Sequence, residues 1–143
     1  MTTPYADVAA FHARFDLPRL GDPTGQPPHL LAPDVLEFRL KFLHEELAEL
    51  TAAHAAGDLA GFLDGLVDLV YVALGTAHLA HLPFDAAWAA VHAANLTKVR
   101  ATPRDPRSTR DHPLDVVKPP SWNPPDIERV IADHEAKIRP TSS

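Results

Sequence analysis

The positions of the fifteen prolines constrain the fold of this 143-residue chain more than any other feature. Twelve of them fall in two stretches, 18–33 and 103–125, and the other three are Pro4, Pro83 and Pro140. Because proline is tolerated at the start of a helix but breaks its interior, the stretches without proline are the candidate helices. No stretch shows the alternation of polar and apolar residues that is typical of a strand, so the sequence predicts an all-α fold.

Five helices follow from these breaks and from the capping residues near them. Their predicted ranges are 3–15, 33–56, 58–81, 85–100 and a short last helix with Pro124 in its first position and Asp126 in its first turn. The predicted N-caps are Thr3, Asp58 and Asp85, and Gly57 ends the second helix. Loops are predicted at 16–32 and 101–123.

Short turns between helices two to four predict an antiparallel arrangement that resembles a four-helix bundle. The length fits a single domain over 1–143, with the helical core at 33–100 and a C-terminal loop and helix at 101–139.

Two helices carry the predicted core. In the second helix, leucines recur with the 4-3-4-3 spacing of a core-facing stripe, at Leu36, Leu40, Leu43, Leu47 and Leu50. The third helix is apolar around most of its circumference, which predicts a buried helix. An aspartate at the bilayer centre costs roughly 2.5–3.5 kcal/mol, and this helix contains two, so we interpret it as the core of a soluble protein.

The composition excludes several classes of function. The chain has no cysteine, and therefore no disulfide, no thiolate metal site and no cysteine nucleophile. A formal net charge of -6 argues against a nucleic-acid-binding protein with a broad basic surface. The first residues lack the basic and apolar regions of a signal peptide, so we expect a cytoplasmic protein with no membrane partner.

Acidic residues of the second and third helices form the most informative pattern. The segment HEELAEL carries Glu45, Glu46 and Glu49, and the next helix carries Asp64 and Asp68, one turn apart. Antiparallel packing of these two helices would bring the two sets face to face. Buried carboxylates repel each other and lose hydration unless they are paired or bind a metal. A hard divalent cation, Mg²⁺ with Mn²⁺ as the alternative, resolves this conflict.

Each acidic motif has a simpler explanation when it stands alone. Glutamates three residues apart on a helix usually form a solvated face. The alternative for the two aspartates is a hydrogen-bonded polar strip or an interface to another subunit. Their combination on consecutive helices favours the metal site.

A basic stretch follows in this otherwise acidic chain. Asn95 and Lys98 are expected to be neighbours near the end of the fourth helix, and Lys118 lies further along the chain. Beside a carboxylate–metal cluster, such groups suit a polyphosphate ligand. The arginines of the same stretch are interpreted as part of a solvated loop: Arg100, Arg104, Arg107 and Arg110.

Four blocks of sequence together carry a resemblance to a known family. In order, HEELAEL, DGLVDLVYVALGTA, AWAAVHAANLTK and KPPSWNPPD resemble the MazG-like all-α nucleoside triphosphate pyrophosphohydrolases, in the branch related to phosphoribosyl-ATP pyrophosphohydrolase. The resemblance implies a Mg²⁺-dependent hydrolase that cleaves nucleoside triphosphates between the α- and β-phosphates. The products would be a nucleoside monophosphate and pyrophosphate. It also implies a homodimer or a dimer of dimers.

The resemblance assigns roles to individual residues. The positions that match metal ligands are Glu46, Glu49 and Asp68, and those that match phosphate-binding residues are Asn95, Lys98 and Lys118. Glu45 and Glu46 are assigned to catalysis, where Glu45 would orient or deprotonate the attacking water. The candidates for contacts to the base, with simple packing as the alternative, are Phe11, His12 and Trp122.

One position departs from the family pattern. Many members carry a glutamate three residues before Asp68, where this chain has Gly65. Asp64 lies on the same face and is expected to replace that glutamate as a metal ligand; otherwise the site would hold fewer metals. The alternative to an enzyme is a non-catalytic helical module that dimerises through the third helix or binds nucleotide.

Overall fold

The computed structural model describes residues 1–17 and 26–139. Within them the chain forms α1 (Pro4–Arg14), α2 (Pro33–Ala55), α3 (Leu59–Leu79), α4 (Phe84–Leu96), β1 (Val99–Arg100), β2 (Val116–Val117) and α5 (Ile127–Ile138). Helices dominate and the two strands form one small antiparallel sheet, which confirms the all-α class. The middle of the loop predicted at 16–32 lies outside the described residues.

Residues close in sequence determine several helix ends as predicted. The Thr3 hydroxyl accepts a hydrogen bond from the Ala6 amide at 3.2 Å, and the Asp58 carboxylate accepts one from the Gly61 amide at 3.0 Å. Gly57 follows α2 with a φ of 66°, the left-handed conformation that glycine adopts without steric cost. The N-caps of α1 and α3 and the end of α2 are therefore confirmed.

The starts of the last two helices differ from the prediction. Pro83 is the N-cap residue of α4, and Asp85 lies in the first turn, where its carboxylate accepts the Thr3 hydroxyl at 2.9 Å. Asp126 is the N-cap of α5 rather than a first-turn residue, and it accepts the Arg129 amide at 2.9 Å. The predictions that Asp85 caps α4 and that Asp126 lies inside α5 are wrong.

The end of α4 also differs from the prediction. The helix stops at Leu96 instead of continuing to about residue 100. Residues 99–100 pair with residues 116–117 in the antiparallel sheet, so the backbone beyond the helix is extended. Lys98 therefore follows α4 and is not part of it.

The main contact of the fold is the antiparallel pair of α2 and α3, with α1 packed against α3. Arg39 joins the pair: its Nε donates to Thr76 Oγ1 at 3.1 Å and its Nη2 to the Val72 carbonyl at 2.8 Å. By contrast, α4 makes a small contact with α3 and a larger one with α5. Within the described residues of one chain, α4 packs mainly against α5, and α2 to α4 do not form a complete antiparallel bundle.

The predicted leucine stripe of α2 does not form the core of a single chain. Leu36, Leu40 and Leu47 are 42%, 46% and 50% exposed. α3 meets one edge of the stripe, at half-buried Leu50, and the face beside it that carries buried Arg39. Because α3 covers only this face, the leucines beside it have no cover among the described residues.

α3 is buried mainly in its second half. Val72 and Leu74 are both 4% exposed, whereas Leu63 and Val67 are 62% and 52% exposed. The prediction that the whole helix is buried is therefore wrong for a single chain. By length and composition alone α3 is apolar enough to cross a membrane, and only 22% of that stretch is buried. Its first half is therefore an exposed apolar surface, of the kind that often forms an interface.

Candidate active site

The α2–α3 pair brings the predicted acidic residues together. Arg39 contacts Thr76 at one end of the pair, and Leu50 lies against Gly65 further along. Glu46 lies between these two contacts on α2, and Asp68 lies between them on α3. The negative charge of Asp68 accordingly acts on Glu46 more strongly than any other, which makes the two carboxylates neighbours across the helix pair.

Glu46 stands at the centre of an acidic cluster, which we define as Glu45, Glu46, Glu49, Asp64 and Asp68. Burial raises the pKa of Glu46, and so do the negative charges of Asp68, Glu49, Glu45 and Asp64, in that order of strength. No cation contributes to the shift. The cluster therefore concentrates negative charge around one half-buried carboxyl group.

The basic residues of α2 are engaged elsewhere. Lys41 Nζ lies 3.1 Å from the exposed Glu37 carboxylate, and Arg39 is hydrogen-bonded to α3. Across residues 1–17 and 26–139, no hydrogen bond or ion pair engages a carboxylate of the acidic cluster. In the part of the chain that the structure describes, no lysine or arginine forms an ion pair with these carboxylates.

The donor set of the acidic cluster fits a hard cation. All five side chains offer carboxylate oxygens, which Mg²⁺ prefers. In the described segments no three His, Asp or Glu side chains already converge as metal ligands. A cation at this position would have to draw the carboxylates together; those that act most strongly on Glu46 belong to Asp68 and Glu49.

Asp64 and Asp68 have different surroundings although they lie one turn apart. Asp68 is half-buried and is the strongest charged influence on Glu46, whereas Asp64 is exposed and the weakest. Between them, Gly65 is buried at a close contact between α3 and α2, and a Cβ there would stand 3.1 Å from Leu50 Cα. A glutamate at position 65 would displace α2, so packing explains why this chain has glycine there.

Lys98 and Lys118 lie opposite each other where the two-stranded sheet begins. Val99 pairs with Val117, and the same register continued by one residue pairs the two lysines. Both line a pocket of about 480 Å³, which we call the cationic pocket. Asn95 is exposed in the last turn of α4, and its carbonyl accepts the Lys98 amide at 3.1 Å.

Trp122 contacts one of these lysines. Lys118 Nζ lies 4.2 Å from the centre of the Trp122 ring, a cation–π contact. The Trp122 indole N–H donates to the Ala94 carbonyl near the end of α4 at 3.0 Å. Trp122 thus holds Lys118 in place, and its proposed contact with a base stays a prediction.

Sequence reasoning missed two residues of the cationic pocket. Arg107 and Arg110, interpreted as solvated, are ion-paired at 2.7 Å to Asp105 and Asp115. Both aspartates are buried, at 5% and 7% exposed. The available signal was the close spacing of arginine and aspartate in RDPRSTRDHPLD, which allows each aspartate to pair within its own loop.

A comparison with protein families gives the chain its identity. The family model for phosphoribosyl-ATP pyrophosphohydrolase matches residues 8–95. The chain belongs to the phosphoribosyl-ATP pyrophosphohydrolase family. This confirms the resemblance seen in the sequence and makes the chain a pyrophosphohydrolase, a nucleotide hydrolase. A comparison with curated proteins finds no match.

The range that matches the family divides the site of this pyrophosphohydrolase into two parts. It includes the whole acidic cluster and ends at Asn95. Lys98, Lys118 and the rest of the cationic pocket lie beyond it. Family membership therefore bears on the acidic cluster, whereas the cationic pocket rests on the geometry of this chain.

The remaining candidates for base contacts lie on α1 of the pyrophosphohydrolase. His12 is 5% exposed, and its ring lies 4.9 Å from that of His78 in the interior, which leaves little surface for a ligand. Phe11 is 41% exposed and packs edge-to-face on Tyr71, with ring centres 5.5 Å apart. Its contact with a base stays a prediction.

Proposed function

We propose that this pyrophosphohydrolase acts on nucleoside triphosphates with Mg²⁺, or Mn²⁺ as the alternative, and cleaves between the α- and β-phosphates. The products are a nucleoside monophosphate and pyrophosphate. The observation that supports this proposal most is the charge around Glu46, where four carboxylates crowd a fifth and no cation offsets them. A divalent cation that also binds phosphate oxygens supplies the missing positive charge.

The acidic cluster provides the metal-binding half of the proposed site. Glu46, Glu49 and Asp68 would hold the cation, with Asp64 as a further ligand. A bound Mg²⁺ polarises phosphoryl oxygens and offsets the charge that develops on them. Glu45, exposed at the edge of the cluster, orients the attacking water and accepts its proton.

The cationic residues provide the phosphate-binding half. Asn95, Lys98 and Lys118 bind the phosphate chain and stabilise the negative charge on the departing pyrophosphate. Water adds its oxygen to the nucleotide phosphorus as the bond to the bridging oxygen breaks. The bridging oxygen and its electron pair leave with the pyrophosphate.

We further propose that the active form is a homodimer or a dimer of dimers. In one chain, no lysine or arginine is among the charges that shift the pKa of Glu46. The large apolar side chains exposed on α2, α3 and α4 suit a second copy of the chain. They include Leu36, Leu40, Leu47, Leu63, Val67 and Trp88.

We expect hydrolysis with Mg²⁺ and none in EDTA. The assay uses a panel of nucleoside triphosphates together with phosphoribosyl-ATP, and it measures pyrophosphate and monophosphate. Glu46→Gln should lower turnover on the order of a hundredfold or more, because it removes charge from the centre of the metal site. Glu37→Gln is the matched control on α2, since Glu37 is exposed and its partner among the described residues is Lys41.

Two results would contradict the proposal. Inorganic phosphate as the first product would exclude α–β cleavage, and ¹⁸O from labelled water in the pyrophosphate instead of the monophosphate would exclude attack at the α-phosphorus. No hydrolysis of any substrate with either metal would favour the alternative, a non-catalytic module that dimerises through α3 or binds nucleotide.

A further inference from the structure

The cationic pocket contains two arginines in addition to the two predicted lysines. Its wall has four cationic side chains and one carboxylate: Lys98, Arg107, Arg110 and Lys118 against Asp115. Its volume of about 480 Å³ is that of a typical ligand pocket. Since the chain as a whole has a net charge of -6, this local excess is a property of the loop and not of the composition.

Arg107 is held by a carboxylate that has almost no contact with solvent. The Asp105 side chain is 1% exposed and accepts Arg107 Nε at 2.8 Å and Nη2 at 2.7 Å. It also accepts the Arg107 backbone amide at 3.0 Å. The paired guanidinium holds the pKa of Asp105 well below its usual range. Arg107 therefore keeps a fixed orientation, with its other N–H groups unpaired among the described residues.

Arg110 is held in a similar way by Asp115. The Asp115 carboxylate accepts Arg110 Nη1 at 2.7 Å, the Ser108 hydroxyl at 2.6 Å and the Val116 amide at 2.9 Å. These bonds lower the pKa of Asp115, the one from Ser108 most. Arg110 uses a single N–H in this pair, and 72% of its side chain is exposed. Most of its guanidinium is therefore free to bind a ligand.

The two lysines add charge that no described carboxylate balances. Lys98 and Lys118 stand opposite each other across the sheet, where like charges destabilise the pairing. The contact with Trp122 fixes Lys118 without neutralising it. A ligand with several negative charges would relieve this repulsion, and planar arginine forks match the oxygens of phosphate groups.

We infer that Arg107 and Arg110, oriented by Asp105 and Asp115, bind a diphosphate group in the cationic pocket together with Lys98 and Lys118. This inference rests in part on the proposed function, because the diphosphate would be either free pyrophosphate or the terminal phosphates of the nucleotide. It adds two phosphate-binding residues that lie outside the range matched by the family.

The experiment measures binding in EDTA, so that it depends on neither metal nor turnover. Titration calorimetry gives the dissociation constants of inorganic pyrophosphate and of a nucleoside triphosphate analogue with a non-hydrolysable α–β bridge. We expect Arg110→Gln and Arg107→Gln each to weaken binding about tenfold or more, through the loss of charge-assisted hydrogen bonds. Arg104→Gln is the matched control, because Arg104 lies in the same loop but lines a different pocket, with Arg100 and Asp111.

The two ligands distinguish the two sources of the diphosphate. If the variants lose affinity for both ligands, the pocket binds the terminal phosphates of the nucleotide. If they lose affinity for pyrophosphate alone, the pocket binds the free product. Either result supports the inference. No binding of either ligand to the wild-type protein, or unchanged binding by both folded variants, would overturn it. Hydrolysis is assayed separately, so an inactive protein that still binds through these arginines would reject only the proposed function.

Arg110→Gln is the safer variant, because Asp115 keeps its bonds to Ser108 and Val116. If either variant fails to fold, the wild-type protein provides the test through the side-chain Nε–H signals of its arginines in a pyrophosphate titration by NMR. The signals of Arg107 and Arg110 should shift and that of Arg104 should not. Equal shifts of all three, or none, would overturn the inference.

Discussion

Asp64 and Asp68 show how strongly the role of a carboxylate depends on its immediate surroundings. Asp68 is half-buried and acts most strongly among the charges that raise the pKa of Glu46, whereas Asp64 is exposed and acts least. A cation at the centre of the cluster would lie nearer to Asp68. We therefore expect the two residues to contribute unequally to metal binding.

The first prediction compares Asp68→Asn with Asp64→Asn. Asp68→Asn should abolish the stabilisation by Mg²⁺ and lower turnover on the order of a hundredfold or more, while Asp64→Asn should weaken Mg²⁺ binding less. Both variants should fold, because each removes one of several repelling charges. The melting temperature is measured in EDTA and in millimolar Mg²⁺; in the wild type, free Mg²⁺ at 100 times its dissociation constant adds about 2.7 kcal/mol. Equal losses in both variants would contradict this ranking and make Asp64 a full ligand.

At the scale of helices, α1 is attached to the α2–α3 pair through buried polar side chains. His12 of α1 meets Arg39 of α2 and His78 of α3 beside Gly75, where a Cβ would stand 2.9 Å from both Arg39 Nη2 and His12 Nε2. Burial, His78 and Arg39 lower the pKa of His12 to about 4. This junction therefore contains a neutral histidine next to a buried arginine at pH 7.

The second prediction is that acid weakens this junction. The unfolded chain protonates His12 below its ordinary pKa of 6.5 and the folded chain only below about 4, so stability is lost as the pH falls between these values. At pH 5 the contribution from His12 is a loss of about 2 kcal/mol. Urea unfolding at fixed protein concentration, at pH 7 and pH 5, should show a smaller loss for His12→Leu than for the wild type. His92→Leu, at an exposed histidine of α4, should retain the wild-type dependence, and the same dependence in His12→Leu would refute this prediction.

At the scale of the whole molecule, the helices leave an extensive apolar surface uncovered. Trp88 of α4 is 64% exposed, and Leu63 and Val67 of α3 are 62% and 52% exposed. Surfaces of this kind usually mark an interaction site. We propose that a second copy of the chain covers this surface. In a two-fold symmetric dimer the same residues of both copies would be buried.

The third prediction tests this assembly. Light scattering should find the wild type as a dimer or tetramer, and Trp88→Lys should raise the dissociation constant about tenfold or more, because burial of a large side chain is worth about 1.5–3 kcal/mol. Ala136→Lys, at an exposed position of α5, is the control and should leave the assembly unchanged. A wild-type monomer, or a Trp88→Lys protein that assembles as tightly as the wild type, would contradict the proposal.

The helices and the acidic cluster could be predicted from the sequence because both depend on residues close in the chain. Thr3, Gly57 and Asp58 act within three or four positions, through a cap or a left-handed turn. Helical periodicity and one short turn are enough to bring Glu46 opposite Asp68. The family model matches residues 8–95, a range that includes both of these residues.

Only the tertiary structure decided which surfaces are covered and which cations share a pocket. The leucines of α2 have the spacing of a core stripe, but α3 covers only the edge of the stripe at Leu50, and spacing alone does not reveal which face a partner helix takes. Arg107 and Arg110 were interpreted as part of a solvated loop. In the structure they pair with the buried carboxylates of Asp105 and Asp115, within the loop that the pairing of β1 with β2 closes. The first outcome depends on which helix faces meet and the second on the burial of Asp105 and Asp115, and neither leaves a periodic signal in the chain.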